Sequence, residues 1–301
     1  MKWLALATTV CAGLPASLAS QDLRSRVEAR IARAPARAVG LYFRALERPD
    51  SLLIGAAEQF HAASTMKLPV LIQVFRDADA GLLSLGDSLP VTRTFTSLVD
   101  GSPYDLDKAD DSDSSLYLRV GGRASIRELL ELMITRSSNL ATNILVAQVG
   151  APRTQATARS LGAEAITVLR GVEDGKAYAA GLNNTTTARD LGVLLAGLAQ
   201  RGAASLASCD SMLAILSRQE FHEGIPAGVP AGTRVAHKTG WIAGVVYHDA
   251  AIVYPRRGGR YVLVVLTGGI KADTVAYNLV ADLSRIVYTA SSRAGANRVP
   301  K

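Results

Sequence analysis

The spacing of hydrophobic positions changes along the chain, and each change predicts a new structural element. Residues 21–34 place apolar side chains at helical intervals and predict a helix. Residues 38–46 and 51–57 are short apolar runs on either side of turn-forming residues at 48–50, and they predict two strands. Over residues 64–78 the apolar positions return to helical spacing.

The middle of the chain is mostly helical. Residues 126–134 carry an apolar stripe, and a second helical segment that contains Asn143 follows it. Another apolar helix begins after the three threonines at 185–187, and we expect a threonine side chain to cap it. Residues 95–123 are rich in Asp, Ser and Gly, and they and residues 170–176 predict loops.

The last part of the chain returns to strands before a closing helix. Apolar segments at 234–240, 245–255 and 261–268 predict three strands, and residues 272–289 predict a helix followed by a loose tail at 290–301. Two early and three late strands around a helical middle predict an α/β (α+β) fold. We expect an antiparallel sheet flanked by helices, with an all-helical domain inserted into it.

These patterns also predict how the chain divides. We expect a discontinuous α/β domain of residues 20–75 and 225–289 and an inserted helical domain of residues 76–224. Residues 1–19 combine Lys2, a short apolar core and small residues before Ser20, which is typical of a signal peptide. The apolar core is shorter than the roughly 20 residues that a membrane anchor needs. We therefore expect a periplasmic or secreted protein without a stable membrane anchor.

Composition and charge narrow the class of protein. Of the 301 residues, 49% are hydrophobic and 20% are charged, as in ordinary soluble globular proteins. The net charge of +7 is scattered along the chain, so we expect no nucleic-acid partner. Cys209 lies in a helical stretch and is expected to be a small buried apolar residue. His61, His222 and His248 lack the spacing of metal ligands, so we expect no metal. We also expect that the protein needs no cofactor and is a monomer.

Three short motifs carry groups suited to acyl transfer, and the first contains Ser64 and Lys67. A serine and a lysine three residues apart lie on one face of a helix, where the amine can take the proton of the hydroxyl. At the start of a helix the backbone N–H of Ser64 also points toward a developing oxyanion. An S-x-x-K sequence by itself also occurs by chance in many helices.

The second motif contains Ser137 and Asn139. The Ser137 hydroxyl is suited to pass a proton to a leaving nitrogen, and the Asn139 amide is suited to hold both Lys67 and an amide of the substrate. The alternative is an ordinary N-cap for the helical segment that follows.

The third motif is Lys238-Thr239-Gly240. At the edge of a strand, Lys238 and Thr239 are suited to bind a substrate carboxylate, and Gly240 permits a close approach of the backbone. The N–H of Trp241 is a candidate second oxyanion donor. His237 either lines the site or faces away from it on the strand. A plain exposed strand end is the alternative for the whole motif.

The motifs occur in the order S-x-x-K, S-x-N and K-T-G, which is the set found in class A β-lactamases and penicillin-binding proteins. The segments SIRELLELMITRSSNLATNILV and HKTGWIAGVVYHDAAIVYP also resemble class A β-lactamases, and the resemblance covers residues 25–289. It implies a β-lactamase/transpeptidase-like fold and an active-site serine hydrolase that opens β-lactams. It also implies roles for Ser64 as nucleophile, Lys67 as base, Ser137 as proton relay, and Asn139, Lys238 and Thr239 as substrate contacts.

The chain departs from the class A pattern in two places. Ser138 stands where the family usually has an aspartate, and no E-x-x-L-N sequence precedes the three threonines. In that loop Glu173 and Asp174 are the candidates for the base that activates water in deacylation, and we assign Glu173. The alternative for Glu173 is a solvated loop carboxylate. Tyr104, in another loop, is expected to form a wall of the cleft.

Two other functions stay open at this point. One is a D,D-peptidase-like or esterase-like hydrolase that acts on D-Ala-D-Ala-like envelope peptides or small esters. The other is a penicillin-binding or sensor module that is acylated and deacylates slowly. Both use every acylating residue named above, so only the loop before residue 185 discriminates between them and a β-lactamase.

Overall fold

The computed structural model describes residues 18–296, so residues 1–17 of the predicted signal peptide lie outside the described part. The helices are α1 (Leu18–Ala32), α2 (Lys67–Asp79), α3 (Ile126–Thr135), α4 (Asn139–Val149), α5 (Ala151–Ser160), α6 (Gly175–Ala179), α7 (Ala188–Ala199), α8 (Leu206–Leu216) and α9 (Asp273–Ala296). The strands are β1 (Ala38–Ala45), β2 (Ser51–Ile54), β3 (Phe60–His61), β4 (Ser88–Pro90), β5 (Thr94–Thr96), β6 (Pro103–Asp105), β7 (Arg123–Ser125), β8 (Thr185–Thr186), β9 (Arg234–Ile242), β10 (Val246–Tyr254) and β11 (Tyr261–Gly268). Short 3-10 helices lie at Ala63–Met66, Lys108–Asp110, Ser115–Arg119 and Ile225–Gly228.

Strands from both ends of the chain form one five-stranded sheet in the order β2-β1-β11-β10-β9. Every neighbouring pair is antiparallel, and the register places Tyr42 opposite Val264, Val264 opposite Ala250 and Ala250 opposite Lys238. The predicted antiparallel sheet is therefore confirmed. Its edge strand β9 carries the K-T-G motif.

Each face of the sheet is covered by helices, because successive side chains of a strand point to opposite faces. On β11, Leu263 and Val265 join the apolar cluster that contains residues of α1 and α9, whereas Val264 and Leu266 join the cluster that contains α2, α7 and α8. Gly192 of α7 lies so close to the sheet that a Cβ there would approach the Tyr42 ring to 2.3 Å. Burial of both faces explains why these strands are almost uniformly apolar.

Several predicted boundaries shift in the structure. Strand β2 ends at Ile54 because the next residue, Gly55, turns the chain with a φ of 52°. Residues 290–296, which we predicted to be loose, continue α9 to Ala296. The predicted domain boundary between residues 75 and 76 falls inside α2, and the division into domains stays a prediction.

Two local predictions are confirmed. The hydroxyl of Thr187 accepts a hydrogen bond of 3.0 Å from the N–H of Asp190 and so caps α7. Cys209 is fully buried in the apolar core. None of the helices between residues 18 and 296 combines the length and the hydrophobicity needed to span a bilayer.

Candidate active site

Ser64 lies in the tight turn that leads into α2. The turn is the 3-10 helix Ala63–Met66, so α2 begins at Lys67 and not at Ser64 as predicted. Ala63 adopts a φ of 44°, a conformation that a residue with a side chain rarely takes. The N–H of Ala62 donates to the carbonyl of Asn184, which ties this turn to the chain after the 170–184 loop. Ser64 is thereby held at the surface of a cleft, partly exposed.

A buried histidine of the sheet also supports the Ser64 turn. His248 on β10 donates from Nε2 to the carbonyl oxygen of His61 at 2.9 Å, and its Nδ1 accepts from the N–H of Thr267 at 3.3 Å. Burial lowers the pKa of His248 to about 4, so the ring is neutral near pH 7 and can make both hydrogen bonds. The spacing of the histidines in the sequence does not indicate this role.

The amine of Lys67 is buried in a cage of polar atoms from the second motif. Its Nζ donates to the carbonyl oxygen of Ser137 at 2.6 Å, to the Ser137 hydroxyl at 3.1 Å and to Oδ1 of Asn139 at 2.9 Å. Burial lowers the pKa of Lys67 to about 7, against the opposing effect of Asp111 and Glu173. A large share of the molecules therefore carries a neutral amine at Lys67 near pH 7, as a general base requires.

Lys238 approaches the same hydroxyl from the opposite side. Its Nζ lies 3.0 Å from Oγ of Ser137 and 2.8 Å from the carbonyl oxygen of Thr239. Burial, and then the neighbouring Lys67, hold the pKa of Lys238 well below its usual value. The Ser137 hydroxyl accepts hydrogen bonds from amines on both sides, so its own proton is free to point into the cleft.

Strand β9 brings the third motif against the backbone of Ser64. A Cβ added at Gly240 would lie 2.8 Å from the backbone nitrogens of both Ser64 and Thr65, so glycine is required at this position. The hydroxyl of Thr239 is buried and has no hydrogen-bond partner among the described residues. Trp241 lines the cleft, and its ring packs edge-on against Phe221 with centroids 5.2 Å apart.

The 170–184 loop places Glu173 in the same cleft. Oε1 of Glu173 accepts a hydrogen bond of 3.1 Å from Nδ2 of Asn139. Partial desolvation by the cleft walls raises the pKa of Glu173, Asp110 raises it further, and Lys67 opposes both effects. Glu173 has a φ of 60°, a conformation that a residue with a side chain rarely takes.

Asn143 of α4 fixes the loop immediately before Glu173. Its Oδ1 accepts from the N–H of Val172 at 2.6 Å, and its Nδ2 donates to the Val172 carbonyl at 3.0 Å. Gly171 is required beside it, because a Cβ there would lie 2.2 Å from Oδ1 of Asn143. The helix that carries Asn139 therefore also positions the backbone that carries Glu173.

The side chains of Asp174 and Asn183 hold the loop in place, and Asp174 also lines the cleft. Asp174 is buried, caps α6 through the N–H of Ala177 at 3.0 Å and accepts from the N–H of Leu98 at 2.9 Å. The side-chain oxygen of Asn183, near the end of the loop, accepts a hydrogen bond of 3.0 Å from Arg170. Asn184 bonds the backbone of Arg170 and closes the loop.

Ser64, Asn139, Glu173 and Trp241 line one cleft of about 760 Å³. Tyr104 is not part of its wall, so that prediction is wrong. The Tyr104 hydroxyl instead donates to the Val172 carbonyl at 3.2 Å and supports the loop from behind. His237 is buried and bonds through Nδ1 to Asp249 at 3.0 Å, so it faces away from the cleft.

All nine predicted site residues lie around this cleft or in the polar cluster beside it. They are Ser64, Lys67, Ser137, Asn139, Glu173, Lys238, Thr239, Gly240 and Trp241. Their catalytic roles stay predictions. Among the described residues, no group of three or more His, Cys, Asp or Glu side chains is arranged to hold a metal ion.

Comparison with known proteins gives the family. Residues 22–291 match the β-lactamase enzyme family. The chain belongs to this family. A β-lactamase of Streptomyces fradiae is 26% identical over 306 residues, which cover 94% of each chain. A β-lactamase of Bacillus licheniformis is 28% identical over 175 residues, which span 57% of each.

Solved structures of related proteins have the same fold as this chain. The structure of PBP-A is 30% identical, covers 90% of this chain and 96% of its own, and has a TM-score of 0.78. A mutant of PBP-A, solved as its acyl-enzyme complex with penicillin G, is 31% identical, covers 91% and 97%, and has a TM-score of 0.77. The predicted resemblance to class A β-lactamases and the predicted β-lactamase/transpeptidase-like fold are thus confirmed, and the chain is a β-lactamase-family serine hydrolase.

Proposed function

We propose that this protein is an exported hydrolase that opens β-lactams through an acyl-enzyme at Ser64 and releases the product with water activated by Glu173. The observation that carries the proposal is the hydrogen bond of 3.1 Å between Asn139 and Glu173. Asn139 also accepts from Lys67 at 2.9 Å. One amide therefore joins the group suited to acylation with the group suited to deacylation.

Acylation begins when the neutral amine of Lys67 takes the proton of the Ser64 hydroxyl. The Ser64 oxygen then attacks the lactam carbonyl, and the N–H groups of Ser64 and Trp241 stabilise the oxyanion. As the C–N bond breaks, the Ser137 hydroxyl gives its proton to the leaving nitrogen and regains one from protonated Lys67. The buried hydrogen bond of 3.1 Å between Lys67 and Ser137 provides that path.

Lys238 and Thr239 hold the substrate carboxylate beside Ser137. The unpartnered hydroxyl of Thr239 supports this role, because a buried polar group without a partner is costly unless a ligand satisfies it. A bound carboxylate also stabilises the charged form of Lys238, whose pKa burial otherwise lowers.

Deacylation needs a base that removes a proton from water next to the ester carbonyl. The ionised carboxylate of Glu173 takes that proton as the water oxygen adds to the carbonyl carbon. The ester C–O bond then breaks, and Glu173 returns the proton to the Ser64 oxygen. The hydrogen bond from Asn139 and the nearby positive charge of Lys67 favour the ionised form of Glu173. Glu173 itself accepts the water proton, so acylation and deacylation use different bases.

The second candidate is a D,D-peptidase-like or slowly deacylating penicillin-binding protein. Two observations favour it: the 30% identity with PBP-A, and the engagement of Asn183 by Arg170. With its Oδ1 bonded to Arg170, Asn183 is less suited to position a water molecule for Glu173. In this case the acyl-enzyme forms and persists.

Intact-mass spectrometry over time tests both candidates with the same mature protein. With penicillin G, a β-lactamase gives a transient mass increase and continuing hydrolysis, whereas a slow deacylator keeps the increase. With a D-Ala-D-Ala peptide, release of the terminal alanine identifies a peptidase. Absence of any mass increase with penicillin G, together with no hydrolysis, would reject the proposed function.

A further inference from the structure

The S-x-N motif of this chain lacks the carboxylate that its middle position usually carries in class A β-lactamases. Ser138 occupies that position and is fully buried. Its hydroxyl caps α4 by accepting from the N–H of Ala141 at 3.3 Å. A single hydroxyl leaves the other N–H groups in the first turn of α4 without a partner, and such groups need one when the helix end is buried.

Asp111 supplies a carboxylate at this point from a different part of the chain. It lies in the loop between the 3-10 helices Lys108–Asp110 and Ser115–Arg119. Its Oδ1 accepts from the N–H of Asn139 and its Oδ2 from the N–H of Leu140, both at 2.9 Å. The Ser138 hydroxyl lies 3.4 Å from Oδ2, so the carboxylate reaches the space next to position 138.

Asp111 is itself held in place. The hydroxyl of Tyr117 donates to Oδ2 at 3.1 Å, and the N–H of Asp113 donates to Oδ1 at 3.0 Å. With the two helix amides, these contacts occupy both carboxylate oxygens, and charge-assisted bonds of this kind are stronger than neutral ones. An anion at the N-terminus of α4 is also favoured by the helix dipole.

The bonds from Asp111 fix the part of the backbone that carries the site. Ser137, the residue that meets both lysines, has a φ of 58°, and such a conformation persists only where its surroundings enforce it. Asn139 presents its amide to Lys67 and Glu173 through Oδ1 and Nδ2. The hydrogen bond from the Asn139 N–H to Asp111 therefore fixes the positions of the Ser137 and Asn139 side chains.

We propose that Asp111 is a positioning residue for Ser137 and Asn139 and takes the place of the carboxylate missing from position 138. The inference rests on the proposed function, because it assigns these two side chains to the acylation of Ser64. Asp111 acts through the backbone of α4 and does not touch the reacting atoms.

The test compares Asp111→Asn and Asp111→Ala with the rescue variant Asp111→Ala/Ser138→Asp. Acylation of Ser64 by penicillin G should slow by about tenfold or more in both single variants, the effect of losing roughly one charge-assisted hydrogen bond. The rescue variant should recover most of the rate. Ser138→Asp in the presence of Asp111 should acylate more slowly than wild type, because two negatively charged carboxylates would then lie next to each other. Asp107→Asn, at the start of the 3-10 helix Lys108–Asp110, is the matched control. Its amide oxygen can still accept from the N–H of Ala109, so the rate should stay unchanged.

The pH profile separates positioning from a loss of stability. The charged groups around Lys67 are Lys238, Glu173 and Asp111, and the negative charge of Asp111 raises the pKa of Lys67. Asp111→Asn should therefore move the acid limb of the acylation profile to lower pH. A variant that only loses stability would melt earlier but acylate at the wild-type rate once the pH lies above that limb, and that result would overturn the proposal.

Hydrogen exchange at the Asn139 and Leu140 amides gives a readout that needs no substrate. These amides should exchange faster in Asp111→Ala and slower again in the rescue variant. Unchanged exchange or no rescue in a folded variant overturns the proposal even if wild type is never acylated. Failure of wild-type acylation alone rejects the proposed function instead.

Discussion

The amine nitrogens of Lys67 and Lys238 approach a single hydroxyl oxygen, that of Ser137, to 3.1 and 3.0 Å. Burial disfavours the charged form of both amines, and Lys67 further disfavours the charged form of Lys238. The pKa of Lys67 is lowered to about 7, and that of Lys238 is also lowered. A proton can therefore pass through Ser137 without a large change in the charge of the site.

Lys67 should give acylation an acid limb near pH 7. The neutral amine is the active form, so the rate should rise as pH increases through about 7, the pKa of Lys67. Lys67→Ala should slow acylation by at least about 10²-fold, the lower end for a positioned base. Lys67→Arg should be nearly as slow, since a guanidinium stays protonated. Stopped-flow acylation across pH measures all three, and an active Lys67→Arg enzyme would identify another base.

Ser64→Ala should abolish covalent modification, because the attacking oxygen is lost. Intact mass after incubation with penicillin G should stay at the unmodified value, while wild type gains the mass of one β-lactam. Ser137→Ala is the informative comparison: it keeps the nucleophile and should be modified more slowly. Modification of Ser64→Ala at the wild-type rate would exclude Ser64 as the nucleophile.

Glu173→Gln should leave acylation nearly intact and trap the acyl-enzyme. The amide still contacts Asn139 but cannot take a proton from water. Steady-state hydrolysis should fall by roughly 10²-fold or more while the acylated mass persists. Glu164→Gln, an exposed carboxylate outside the cleft, is the control. Rapid turnover in Glu173→Gln would refute the assignment of Glu173 and still support a β-lactamase.

Lys238→Ala should weaken reaction with substrates that carry a carboxylate more than reaction with neutral esters. KM for penicillin G should rise, whereas kcat/KM for a neutral ester should change less, because only the first substrate loses an ion pair. Kinetics on the two substrates in parallel measure the difference. Equal losses would mean that Lys238 acts through Ser137 or through the pKa of Lys67.

His248 should make stability depend on pH below neutrality. Its pKa is lowered by burial from 6.5 to about 4 in the folded protein. Between these values the unfolded chain binds the proton more readily, so stability should fall as pH decreases from about 6.5 to about 4. The full effect is about 3 kcal/mol. Urea unfolding of wild type and His248→Gln should show a smaller slope in the variant, and His222→Gln, an exposed histidine, should keep the wild-type slope.

The sequence alone determined the elements and the three motifs. The segment 261–268 coincides with β11, and Thr187 caps α7 as predicted, because short continuous apolar runs and helix caps depend on neighbours in the chain. Ser64 and Lys67 also lie within one turn, so their spacing fixes their proximity. These features depend on residues that are close in the chain, so the sequence alone predicts them.

The tertiary structure decided which of several chemically similar residues enters the site. Glu173 and Asp174 are adjacent and both acidic, yet one faces the cleft and the other caps α6, because Asn143 fixes the backbone before them and Glu173 adopts a positive φ. The contacts of Asp111 with α4 and of His248 with His61 join distant parts of the chain. Sheet register and loop packing bring such partners together, and neither is encoded in the spacing of nearby residues.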